Sequence, residues 1–160
     1  MNVATQTNLQ KLSLFTGVEF LAGEPAEVLP EIVNLINMNQ LNVNFVYIDC
    51  DNSAIQSQIY IEAALKIVPK QPTCVVIHNS FLPRVRRAMI DVDWQENPHV
   101  HYVDVDFVQG AYLPIEYGAC ELVGGLAVAL LRPELRKEKL EIYRSYDHAY
   151  NMLLPFATNK

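Results

Sequence analysis

Asp49 and His78 are the side chains on which chemistry can be built, because each stands where a short apolar run gives way abruptly to polar residues. Residues 44–48 (Asn-Phe-Val-Tyr-Ile) lead into Asp49-Cys50-Asp51-Asn52, and residues 73–77 (Thr-Cys-Val-Val-Ile) lead into His78-Asn79-Ser80. An imidazole in such a place can serve as a general base, as a metal ligand, or as a buried ring bonded to backbone, and the residue type alone leaves all three open. The carboxylate of Asp49 has a local alternative too: it, Asn52 or Ser53 can cap a helix that follows. Cys50 lies beside Asp49 and Asp51, whose negative charges raise a thiol pKa, which disfavours a nucleophilic role.

The elements around this pair must bring it together. Between the two runs, Ile61, Ala64, Leu65 and Val68 recur at the spacing of one helical face, so residues 44–78 read as strand, helix, strand. A right-handed crossover points both strand tips at the same sheet edge, which makes Asp49 and His78 neighbours despite their separation in sequence. Arg84, Arg86 and Arg87 follow directly. They read either as a solvated helix face or, with Arg84 and Arg87 foremost, as a clamp for a substrate carboxylate or phosphate. His99 and His101 share a strand face but show no third ligand, so exposure is the simpler reading. Tyr146 and Tyr150, four apart, read as helix packing rather than as an aromatic cage with Tyr143.

Length and composition bound the rest. The 160 residues, 51% hydrophobic and 19% charged, suit one globular domain over 1–160. A net charge of −6 disfavours wholesale binding to a nucleic-acid backbone. No apolar run approaches the roughly 18 residues of a membrane span, and residues 2–10 are polar where an export signal would be apolar, so a cytoplasmic location is expected. Three cysteines without a CxxC spacing, Cys50, Cys74 and Cys120, argue against a disulfide framework and are expected to be reduced.

Along the chain, residues 8–15 read as a short helix ended by Gly17, and 18–21 as a strand closed by Gly23-Glu24-Pro25. A helix then resumes at Pro30 with Leu29, Ile32, Val33 and Ile36 on its buried stripe. A further helix from Pro83 buries Val85, Ala88, Met89 and Val92. After the Asn97-Pro98 turn, Val103, Val105 and Phe107 alternate with Tyr102, Asp104 and Asp106, as in a half-exposed strand at or near a sheet edge. Residues 110–118 read as an irregular loop, 124–131 as a central strand, 140–144 as a last strand and 146–154 as a closing helix. The fold class expected is α/β: a mostly parallel mixed sheet finishing with an antiparallel strand pair.

The series Gly23-Glu24-Pro25-Ala26-Glu27-Val28-Leu29-Pro30, Phe45-Val46-Tyr47-Ile48-Asp49 and Val75-Val76-Ile77-His78-Asn79 resembles the C-terminal half of class I S-adenosylmethionine-dependent methyltransferases. Residues 94–103 and 124–131 stand where such proteins carry their last strands, and the resemblance covers roughly 14–133. It implies a Rossmann-like sheet with helices on both faces, S-adenosylmethionine as cofactor and a small-molecule substrate. By the same resemblance His78 is the catalytic candidate, and Asp49, His78 and Asn79 correspond to the positions where some relatives hold a divalent metal. Asn79 stands where the pattern has Asp, which removes a charge from such a shell.

The glycine-rich turn after the family's first strand and the acidic end of its second have no counterpart in this sequence. The resemblance therefore implies a domain lacking its usual first two strands, incomplete or inactive alone. The family's third and fourth strands pair with those missing ones, so residues 18–21 and 45–48 would offer bare apolar edges, a liability that an oligomer or partner chain would cover. A homo-oligomer, most simply a dimer, is expected. Two alternatives stand beside this reading: a non-catalytic oligomeric assembly module, and an independent metal-dependent enzyme using Asp49 and His78.

Overall fold

The computed structural model describes residues 18, 21–49, 53–115 and 119–157. The first helix, α1 (Pro25–Asn37), opens with Pro25 in its first turn, where a missing N–H costs nothing, and Glu27 faces the positive end of the helix. Its start differs from the one expected at Pro30, which lies inside the helix. Pro25 satisfies the same first-turn preference five residues earlier. The helix stops where Asn39 adopts a left-handed conformation, φ 63°.

Strand β1 (Phe45–Ile48), helix α2 (Ala54–Leu65) and strand β2 (Thr73–His78) form the expected unit, and β1 pairs parallel to β2 with Ile48 opposite Ile77. Ser53 caps α2, its hydroxyl accepting the Gln56 N–H at 3.0 Å. Ile61, Ala64 and Leu65 are buried, whereas Val68 lies beyond the helix end and is exposed. Helix α3 (Pro83–Asp91) again starts with proline, and Val85, Ala88, Met89 and the following Val92 are all buried.

Strand β3 (Val100–Val108) is followed by a hairpin, β4 (Ala111–Pro114) with β5 (Cys120–Val123), in place of the irregular loop expected over 110–118. Pro114 sits at the end of its strand, where a proline is tolerated. Strand β6 (Leu126–Leu131) then inserts antiparallel between β2 and β3, and the short β7 (Ile142–Tyr143) adds parallel to β3. Helix α4 (Asp147–Leu153) and a 3₁₀ turn (Leu154–Phe156) close the chain.

The five-stranded order is β1-β2-β6-β3-β7, with β6 alone reversed. The sheet is therefore mixed and mostly parallel, with β6 central as expected and β3 next to the edge.

Strand alternation sorts the sheet into two faces. Ile48, Val75, Ile77, Val103, Val105, Ala127, Ala129 and Leu131 join one buried cluster with residues of α1, α2 and α3. Ile61, 1% exposed within it, contributes about 1.5–3 kcal/mol by its burial. Across the other face the register aligns Phe45, Cys74, Leu130 and Tyr102 in one row, and Tyr47, Val76, Val128, Asp104 and Tyr143 in the next. Phe45, Tyr47, Leu130 and Tyr143 of these rows are exposed. On this second face Val128 is nonetheless buried. The core cluster draws α1, α2 and α3 to one face; for α2 and α3 this follows from two successive right-handed crossovers in the same direction.

Of the strand expected at 18–21, Val18 and Leu21 are described and belong to no strand, while 19–20 and the helix expected at 8–15 lie outside the described residues. No helix among the described residues is long and apolar enough to cross a membrane.

Candidate functional site

The crossover does what its handedness demands. At the carboxyl edge of the parallel pair, His78 Nδ1 lies 2.8 Å from Asp49 Oδ1. Asp49 follows β1 and His78 ends β2, and the pair remains accessible, with side chains 51% and 35% exposed. A carboxylate can only accept here, so the imidazole donates from Nδ1. That contact fixes the tautomer in which Nε2 is the atom able to take a proton. On the sheet side the Tyr47 ring stacks on the imidazole at 6.1 Å between centroids.

Asn79, next in the chain, adopts φ 59°, which turns the backbone sharply off the strand. The turn is held by the connection between β5 and β6: the Phe81 N–H donates to Gly124 O at 3.0 Å and the Ser80 N–H to Gly125 O at 3.4 Å. Gly125, at φ 81°, packs so close that a Cβ there would stand 2.7 Å from Ser80 Oγ and 3.2 Å from the Gly110 and Phe81 nitrogens. This glycine pair therefore braces the connection carrying His78, and Gly125 is filled by the chain's own backbone. Ser80 Oγ is buried without a hydrogen-bond partner.

The expected ligand triad comes together only in part. Asp49 and His78 commit Oδ1 and Nδ1 to each other, Asn79 is half-buried beside them, and Asp51 lies outside the described residues. Among the described residues no group of three or more His, Cys, Asp or Glu side chains gathers as a ligand set. His99 and His101 donate instead to the carbonyls of Arg132 at 2.9 Å and Glu134 at 2.7 Å, stapling β3 to the turn after β6. Cys74 and Cys120 are free thiols, and burial pushes the Cys74 thiol pKa up.

The three arginines of α3 separate by helical phase. Arg87 is 72% exposed and pairs with Asp91 one turn on at 2.7 Å, while Arg84 is half-buried. Arg86, between them, points inward and is 1% exposed. Its guanidinium meets Asp106 at 2.6 and 3.2 Å, bonds Asp147, and lies 4.5 Å from the Tyr150 ring centroid and 5.9 Å from that of Phe81. Burial alone would lower the Arg86 pKa; the hydrogen bonds and charges of Asp106 and Asp147 more than reverse this and leave it raised. The solvated-face reading therefore fails for Arg86. The signal present in the sequence is Asp106, a carboxylate on a strand, where its side chain is buried while Phe107 is exposed.

No family model, curated protein or solved structure matches this chain.

Proposed function

We propose that this chain is a methyltransferase-like half-domain of Rossmann type, which presents a His78 base at its carboxyl edge and depends on another polypeptide for the sulfonium donor. The observation that carries the reading is the Asp49–His78 contact at the tips of two adjacent parallel strands. A proton leaving a substrate hydroxyl has His78 Nε2 as acceptor, and Asp49 stabilises the imidazolium so formed. The order of elements supports the same reading, since β1 and β2 are parallel and the later β6 is antiparallel to both its neighbours.

The residues present do not fit S-adenosylmethionine. Asp49, the carboxylate described at this edge, is engaged by His78, and the Gly125 backbone is packed against Ser80, Gly110 and Phe81. The outer edge of β1, where the family resemblance puts the donor-binding half, is unpaired among the described residues. Isothermal calorimetry of the lone chain with S-adenosylmethionine is expected to give no saturable heat. Stoichiometric binding would overturn the half-domain reading.

A second reading, an oligomeric assembly module, is favoured by that same unpaired edge and by the exposed Phe45 and Tyr47 beside it. Both readings expect a homodimer or a partner chain along β1. No arrangement described here favours the metal-dependent alternative.

A further inference from the structure

The described residues form two apolar clusters, and the Arg86 side chain reaches from one to the other. The first holds the sheet and α1, α2 and α3; the second comprises Phe81, Cys120, Leu122 and Tyr150, with Tyr146, Leu153 and Ala157 packed against it. Leu140 and Ile142 still belong to the first cluster, so the chain passes from one to the other between 143 and 146. Arg86 is the joint. Its helix neighbours Val85, Ala88 and Met89 are buried in the first cluster, while its guanidinium bonds Asp147 of α4 and lies over the Tyr150 ring. Asp106 completes the clasp by accepting the Tyr146 N–H at 2.8 Å.

We propose that residues 144–157 form a strap that opens independently of the sheet, with the Arg86–Asp106–Asp147 cluster as its catch. Three features support separate opening. Helix α4 has seven residues, well short of the roughly 12–15 that an isolated helix needs, so once released it melts. Its anchorage is confined to one small cluster: Tyr150 edge-on to Phe81 at 5.3 Å, Tyr146 and Leu153 packed beside it, the Cys120 thiol against the Leu153 carbonyl, a bridge between Cys120 and Ala157, and the ionic catch. The catch is also incompletely satisfied, because Arg86 Nε is buried without an acceptor among the described residues, and opening lets water relieve it.

Opening uncovers Phe81 and Leu122. Phe81 belongs to the same connection as His78, so the strap gates an apolar surface adjoining the candidate site. This holds whether or not His78 acts as a base.

Hydrogen exchange and cysteine alkylation on the full chain test the strap. Amides of 147–153 are expected to exchange at least about tenfold faster than those of β2 and β6, with Cys120 alkylated at the same opening rate. Asp147→Asn, at a side chain one-third exposed, should speed both by about tenfold and leave β2 and β6 unchanged. Wild-type α4 amides exchanging in step with β2 and β6 would overturn the proposal. So would Asp147→Asn accelerating every amide equally, or none. Should that variant fail to fold, the wild-type rates alone decide.

Discussion

Asp49 and His78 lie 29 positions apart and meet at 2.8 Å, and the contact has a spectroscopic signature. Neutral His78 should hold its proton on Nδ1, whereas a free imidazole favours Nε2. Nitrogen NMR of wild type and Asp49→Ala should show the tautomer reverting in the variant, with unfolding stability little changed because both side chains are solvated. This pair was legible in the sequence, since a right-handed crossover leaves two strand tips nowhere else to point. Arg86 was not, because its carboxylates sit 20 and 61 positions away and helical phase alone decides which of three neighbouring arginines turns inward. The contrast is measurable. Arg86→Met leaves the Asp106 carboxylate buried without a counter-charge and should cost about 3–5 kcal/mol in urea unfolding, against about 0.5 kcal/mol or less for Arg87→Ala. Gly125→Ala should likewise cost more than Gly124→Ala. Both glycines have positive φ, but a Cβ at Gly125 would meet Ser80 Oγ at 2.7 Å while one at Gly124 enters open space. The αL penalty common to both is about 1–2 kcal/mol, and denaturant midpoints of the two variants give the difference.

Among the elements, helices with a clear apolar stripe are legible in the sequence and their boundaries less so. Pro25 and Pro30 both qualify as a first-turn residue, and sequence offers no means of choosing between them until the chain before Pro25 is known to be extended. The hairpin was hidden for a different reason. All four residues of β4 are exposed, so the strand lacks the buried alternation by which strands announce themselves. β1 shows the opposite pattern: Phe45 and Tyr47 are apolar and exposed, and the strand carries neither charge nor proline to discourage pairing. Tyr47→Lys should therefore weaken self-association by light scattering without lowering the unfolding midpoint. Equal association in the variant would remove β1 from any interface.

For the whole molecule, the mixed α/β class and the position of 124–131 in the sheet centre followed from a run apolar on both faces. What sequence could not supply was that α1, α2 and α3 share one face. Outward-facing Val76, Val128 and Leu130 are as apolar as the inward set, so hydropathy assigns cover to both faces alike. The centre of that sheet has one further consequence. β2 and β3 do not pair with each other; β6, encoded after both, is wedged between them and pairs with each. As the nascent polypeptide leaves the ribosome, the portion through Val108 is two flanking pieces awaiting a keystone, and cooperative closure must wait until Leu131 has emerged.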